Sequence, residues 1–239
     1  MDSKELKTSV GQRIVISLIA VLMLGSIVAS YALIIANGGQ EDSGANVEVD
    51  EALVAELEAK YTEVETKFKE KTKEDFEKFV KFKSEVKGFN EATANSGGIS
   101  TRDLKVGSGR ELTEGDTNYL AYYIGWCADE TIFDTSLDDA KNPTGFKAVL
   151  DASMGLIEGW NLGVVGMKLD GIREVTISSE LAYGDKMEIC GGYNKPLKFI
   201  IMAKEKTGEL AELVSELEEA SMRLQYAQYG LNYDEVKGM

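Results

Sequence analysis

The chain has 239 residues, of which 44% are hydrophobic, and carries a net charge of −15 with no histidine at all. That length allows one domain with appendages or two small ones, and the acidic balance excludes a nucleic-acid surface, which needs clustered Lys and Arg. Without histidine there is no Ser-His-Asp or Cys-His nucleophile system, and the two cysteines alone cannot build a usual zinc site, so neither a metal nor another cofactor is expected.

Residues 14–36 read "IVISLIAVLMLGSIVASYALIIA", 23 residues without a charge, where about 20 suffice to span the ~30 Å hydrocarbon layer. The tail before them, residues 1–13, carries Lys4, Lys7 and Arg13, whereas the Gly-, Asn- and Ser-rich linker at 37–48 carries only acidic charge. The positive-inside rule then places the N-terminus in the cytoplasm and the remainder outside. A cleaved signal peptide is the alternative, but its apolar core runs only about 7 to 15 residues. The expectation is a single-pass membrane protein, anchored through 14–36, with its domain extracytoplasmic.

An amphipathic stalk helix is predicted over 49–90. Leu53, Leu57, Tyr61, Val64 and Phe68 recur at spacings of four and three, and Phe76, Phe79, Val80, Phe82, Val86 and Phe89 resume the stripe. Charges at Lys71 and Asp75 break the heptad, which argues against a regular coiled coil. The stripe fits packing against a second amphipathic helix at 207–230, marked by Leu210, Leu213, Val214, Leu217 and Leu224. Homodimerisation through the stalk is an equal expectation, and a solvated spacer is the plain alternative. Between stalk and domain, "NEATANSGG" at 90–98 is small and polar and reads as a hinge, and residues 231–239 read as a tail.

A compact domain is expected over 98–206. Short β-type runs alternate with Gly-centred turns: "NYLAYYIGW", "TIFDTS", "GFKAVL", "REVTISS" and "LKFIIMAKE". One helix is expected in that span, "GLIEGWNLGVVGM", too rich in glycine to stand alone and therefore held against the sheet by its apolar residues. One antiparallel sheet with one helix makes an α+β domain.

The ordered set "LKVGSGRELTEGD", "YYIGW", "TIFDTS", "LIEGWNLGVVGMKLDG", "LAYGD" and "PLKFIIM" resembles the FKBP-type peptidyl-prolyl isomerases over residues 98–204. The resemblance implies an FKBP-like antiparallel five-stranded sheet wrapped around a short helix. It also implies prolyl isomerase and folding-helper activity on proline-containing unfolded or exported polypeptides. Carried over by position, it implies Tyr123, Phe133, Asp134, Tyr183 and Phe199 as catalytic residues. Phe146, Leu156, Ile157, Trp160 and Ile189 are implied as substrate-binding residues, with Trp160 as the pocket floor.

Physical chemistry suits this set to amide rotation. An X-Pro bond turns over a barrier of ~18 to 20 kcal/mol set by partial double-bond character, and no bond need break. A dry aromatic clamp with a few directed dipoles can bind the twisted amide better than either planar form. The plain alternatives are ordinary core packing for each aromatic and a turn-capping role for Asp134 in "FDTS". Gly159, Gly163 and Gly166 read as structural, permitting close contacts.

One stretch departs from the family: after "AYG" the usual "IPP" tip is replaced by "DKMEICGGYNK", with Ile189 as the candidate tip residue. That loop holds Cys190, and the other cysteine, Cys127, follows "YYIGW". With both placed outside the membrane, a disulfide between Cys127 and Cys190 is expected, pinning the loop near the pocket rim. Two buried thiols are the alternative. The rewritten loop also leaves open a second function, a chaperone or binding module with an FKBP-like domain and little isomerase activity.

Overall fold

The structure is a computed structural model, and it describes residues 49–85 and 88–237. These divide into two compact units, one over Val64–Leu217 and the other formed by chain before Val64 and after Leu217.

The larger unit is built on one antiparallel sheet. Its strands are β1 (Ile99–Lys105), β2 (Tyr119–Trp126), β3 (Ile132–Thr135), β4 (Leu150–Asp151), β5 (Ile172–Ile177) and β6 (Leu197–Glu205). They lie in the order β1-β5-β6-β2-β3, with β4 also paired to β2. The count is six where five were expected. Strands β3 and β4 share one edge of β2, β3 against Ile124, Gly125 and Trp126 and β4 against Leu120 and Ala121. The chain leaves the sheet between them, so what sequence reads as one further strand, "GFKAVL", reaches the sheet only at its last residue.

Period-two alternation sorts the side chains. Tyr119, Ala121 and Tyr123 of β2, Val175 and Ile177 of β5, and Leu197, Phe199, Ile201 and Ala203 of β6 all enter one core cluster. The short helix α3 (Glu158–Gly163) supplies Trp160 to that cluster. A Cβ on Gly159 would stand 2.1 Å from Ile177 Cγ2, and one on Gly163 would stand 2.4 Å from Val175 Cγ1, so the two glycines let this helix lie directly on β5. Arg173 of β5 fixes the end of the helix: its Nη1 donates to the carbonyls of Gly163 (3.1 Å) and Val165 (2.8 Å) while Asp103 pairs its guanidinium.

The opposite face of β2 is covered too, which is why all eight of its residues are buried. Tyr122 stacks on Phe146 with ring centroids 3.9 Å apart, and Phe146 is in turn met by Phe76 at 5.6 Å and Phe79 at 5.7 Å. Both phenylalanines belong to α1 (Glu51–Phe79). Ion pairs from Lys69 to Asp138 and from Asp75 to Lys204 hold the same stretch of helix to the domain. The predicted stalk is thus no solvated spacer from Val64 on: Val64, Phe68 and Phe79 are buried within this unit. It is shorter than expected, starting at an Asp50 cap whose carboxylate accepts from the amides of Ala52 and Leu53, and passing into a 3-10 turn over Val80–Glu85. The helix α4 (Gly208–Gln228) occupies the predicted C-terminal position, and Lys71 pairs with its Glu209.

The Tyr122 hydroxyl is buried with no hydrogen-bond partner among the described residues. Removing it in Tyr122→Phe is expected to leave stability unchanged or raise it by up to about 1 kcal/mol, because no bond is lost and a desolvated group disappears. Urea denaturation reads the outcome, and a loss of stability would mean the hydroxyl has a partner.

Two other expectations change. The "hinge" at 90–98 folds as α2 (Glu91–Gly97), capped by Asn90, whose side-chain oxygen accepts from Thr93 N at 2.9 Å. And among the described residues no helix is long and apolar enough to cross a membrane. The longest described helix, α1, has Lys and Glu recurring along its length. The expected placement as a single-pass membrane protein with an extracytoplasmic domain is corrected accordingly: no described segment supports it. The charge-free stretch 14–36, with its flanks at 1–13 and 37–48, lies outside the described residues. In the smaller unit, Arg223 clamps Asp234 of α5 (Tyr233–Lys237) through two hydrogen bonds of 2.7 and 2.8 Å, so the expected tail begins with a helical turn.

Candidate active site

Three neighbouring strands and one helix bring the aromatic residues together. Trp160 lies edge-on to Tyr123 at 5.6 Å and to Phe199 at 5.1 Å, and Phe133 lies edge-on to Phe199 at 5.7 Å. These are the offset and T-shaped geometries that the aromatic quadrupole favours. Trp160 is fixed from beneath by its own indole N–H, which donates to the Tyr119 hydroxyl at 3.1 Å in a buried setting. Burial pushes the Tyr119 hydroxyl pKa up to about 12, so it stays protonated and keeps its acceptor lone pairs for that bond.

Asp134 closes the set from β3. Its Oδ2 accepts from the Tyr123 hydroxyl and its Oδ1 from the backbone amide of Thr135 at 2.8 Å. The turn-capping bond foreseen as the alternative is therefore present, and the same carboxylate also holds the Tyr123 hydroxyl. Burial raises its pKa above the ordinary carboxylate range, against the lowering pull of the Tyr123 hydroxyl and the Thr135 amide. The Tyr123 and Tyr183 hydroxyls are both pushed up, first by burial and then by the Asp134 charge, so both are O–H donors at neutral pH. The remainder of "FDTS" grips the backbone of Tyr123: Thr135 Oγ1 donates to its carbonyl at 3.0 Å, and Ser136 Oγ accepts from its amide at 3.1 Å.

Leu156, Ile157, Tyr183 and Ile189 pack, half-buried, around the same cluster. Phe146 does not. It was expected in the pocket, but it is fully buried on the other side of the sheet, stacked on Tyr122. Tyr122 and Tyr123 are adjacent on one strand and must face opposite sides, so a ring that stacks on one cannot line a site built on the other.

Ile189 sits at the tip of a two-residue hairpin. Its amide donates to Gly192 O at 2.9 Å, the Gly192 amide returns to Ile189 O at 3.1 Å, and both residues between them have positive φ, Cys190 at 55° and Gly191 at 74°. That is the primed turn that matches strand twist. Cys190 is bonded to Cys127, with the Cα atoms 5.6 Å apart. The disulfide ties the loop to the turn that leads into β3 and so to Phe133 and Asp134.

Sequence reading missed Gly125. It pairs with Phe199 on one side and Asp134 on the other, and a Cβ there would stand 2.7 Å from Phe199 Cε1 and 2.9 Å from Phe133 Cζ. Glycine inside a strand is a signal for close approach, and that signal was available in "YYIGW". Tyr119, Thr135 and Ser136 were also missed, being ordinary strand residues by sequence.

Residues 108–204 match the family model for FKBP-type peptidyl-prolyl cis-trans isomerase. An FK506-binding protein of Neisseria meningitidis serogroup B is 38% identical over 89 residues, which are 37% of this chain and 76% of that protein. FK506-binding protein 4 of Neurospora crassa is 37% identical over 89 residues, 37% of this chain and 18% of that much longer protein. Among solved structures, AtFKBP13 is 28% identical with a TM-score of 0.35, covering 45% of this chain and 92% of that one. With the family model matched over 108–204 and the Neisseria meningitidis protein 38% identical over 76% of its length, the chain belongs to the FKBP-type peptidyl-prolyl cis-trans isomerase family.

Proposed function

We propose that the domain at 98–206 accelerates rotation of X-Pro bonds in unfolded or flexible proline-containing polypeptides by holding the twisted amide against its aromatic cluster. The observation that carries this reading is the joint placement of Trp160, Tyr123, Phe133 and Phe199 around one half-buried carboxylate, Asp134. Trp160 and Phe199 offer flat apolar faces for the pyrrolidine ring. Tyr183 offers a hydroxyl, protonated at neutral pH, that can donate to a substrate carbonyl. Asp134 orients the Tyr123 hydroxyl by accepting from it, its charge reaches the Tyr183 hydroxyl and sets the local field, and it transfers no proton. The twisted amide has lost its resonance, so its nitrogen is pyramidal and its carbonyl more ketone-like. A site of fixed dipoles stabilises that state without reorganising.

The second reading, a binding module with little turnover, is favoured by the rewritten loop at 185–194, where the family's prolines are absent. A proline-isomerisation assay on the intact chain decides between them. Wild type is expected to be active, and Asp134→Ala and Phe199→Ala are each expected to lower kcat/KM by about 10- to 100-fold, as loss of a group that acts in the transition state does. Asp134 ionises above the ordinary range, so if its charge is what acts, the wild-type rate falls as pH drops through that raised pKa. Asp134→Ala lacks that limb. Equal, negligible rates for all three proteins would leave the binding module standing.

A further inference from the structure

The hairpin tip carrying Ile189 is attached to the domain in an unusual way. Among the described residues, the hydrogen bonds of 185–194 stay local: Lys186 N to Tyr183 O at 3.1 Å, the Ile189–Gly192 pair, and Asn194 N to Gly184 O at 2.7 Å. Ile189 and Cys190 touch the core cluster, but the one bond that fixes the tip to another element is the disulfide to Cys127. Cys127 is 3% exposed and lies in the turn from β2 to β3, with its amide donating to Thr131 O at 2.9 Å. Cys190 is half-buried and holds a left-handed backbone conformation that non-glycine residues rarely adopt.

We propose that this disulfide is a dithiol-responsive latch on the substrate rim: closed, it pre-orders Ile189 and the loop for binding, and opened, it weakens substrate affinity while leaving the chemistry intact. The proposal rests on the isomerase reading for its kinetic consequence only. In the opening step a thiolate of an external dithiol attacks Sγ of Cys190, the more accessible residue of the pair. The Cys190–Cys127 bond breaks and Cys127 leaves as a thiolate that takes up a proton. The second thiol of the reagent then attacks the mixed disulfide, releasing Cys190 as a thiol and the reagent as its own disulfide. Two electrons pass from the dithiol to the protein.

Once the bridge is open, the tip must be ordered each time a substrate binds, and that cost falls on affinity. Tyr123, Asp134 and Phe199 stay placed by β2, β3 and β6, whose ladders do not depend on the bridge. The latch therefore predicts a split: KM rises about tenfold on reduction while kcat changes little.

The test compares the oxidised chain, the chain in dithiothreitol, and a Cys127→Ser/Cys190→Ser double variant with and without dithiothreitol. Amide hydrogen exchange and isomerisation kinetics are read on each, together with binding of a fluorescent proline peptide. Reduction is expected to speed exchange across 185–194 while the β6 amides keep their protection, to raise KM and the peptide Kd about tenfold, and to reverse on reoxidation. The double variant should resemble the reduced chain and ignore dithiothreitol. Unchanged exchange in the loop, faster exchange with unchanged affinity, or loss of protection throughout β6 would each overturn the latch. An oxidised chain that binds peptide but does not turn over would refute the isomerase reading alone, because loop exchange and peptide affinity still decide the latch.

Discussion

Alanine at Phe146 is expected to cost about 3–5 kcal/mol of folding stability, the range for emptying a large aromatic site in a closed core. The kcat/KM of the molecules that remain folded should stay within about twofold, as for sites that share no partners. The stability loss follows from packing. The ring is fully buried and lies flat on Tyr122 at 3.9 Å with an interplanar angle of 3°. It also receives Phe76 edge-on at 5.6 Å and Phe79 at 5.7 Å, so a single truncation opens a hole between the sheet and α1 that neither side can close alone. Insensitivity of the rate follows from topology, since the sheet stands between Phe146 and the cluster of Tyr123, Trp160 and Phe199. Urea denaturation gives the first number, and isomerisation rates normalised to the folded fraction give the second. A large fall in kcat/KM with little loss of stability would put Phe146 in the pocket after all and contradict the placement described above.

That contrast marks where the sequence was legible and where it was not. Strands β2 and β6 are legible because each is an unbroken apolar run bounded by turn residues, and their observed limits fall at or within a residue of "NYLAYYIGW" and "LKFIIMAKE". Strand β1 is not legible. "ISTRDLK" is mostly exposed and has no apolar face, and what makes it a strand is its ladder to β5, from Ile99 opposite Ile177 to Lys105 opposite Ile172. The helix at Glu91–Gly97 is too short for periodicity to register, although Asn90 is a conventional cap. Phe146 failed for a different reason: order along the chain identifies a ring, but only the alternation of the strand it stacks on decides its face. The aromatic cluster itself was found through motif order, whereas the residues that set its dimensions, Gly125 and Tyr119, carry no chemistry a motif would flag. The disulfide was expected from a placement outside the membrane that is corrected above, and the structure pairs Cys127 with Cys190 all the same; what makes the bridge consequential is the isolation of the tip, which only the hydrogen-bond pattern reveals.

Alanine at Gly125 is expected to lower kcat/KM by about 100-fold, the scale on which misplacing reacting geometry by an ångström acts, with about 1–3 kcal/mol of lost stability from overpacking. One added methyl suffices, because its carbon would fall 2.7 Å from Phe199 Cε1 and 2.9 Å from Phe133 Cζ, closer than real contacts allow. The strand cannot retreat: Gly125 is paired to Phe199 on β6 and to Asp134 on β3, so moving its backbone moves the same residues by another route. The rings must give instead. Phe199 is 4% exposed and held by Trp160 at 5.1 Å, which leaves Phe133, half-buried at the end of the row, as the ring that yields. Phe133 displaced from its edge-on contact with Phe199 would remove one wall of the proposed amide site while Asp134 and Tyr123 keep their hydrogen bond. A cycle with Phe133→Leu separates this account from general damage. In the Phe133→Leu background the clash with the Phe133 ring is gone and Phe199 can tilt into the space it leaves, so Gly125→Ala should cost less stability there than in wild type, a coupling measurable by denaturation of the four proteins. Equal costs in both backgrounds would mean that the methyl is accommodated elsewhere and that Gly125 does not set the spacing of the two rings.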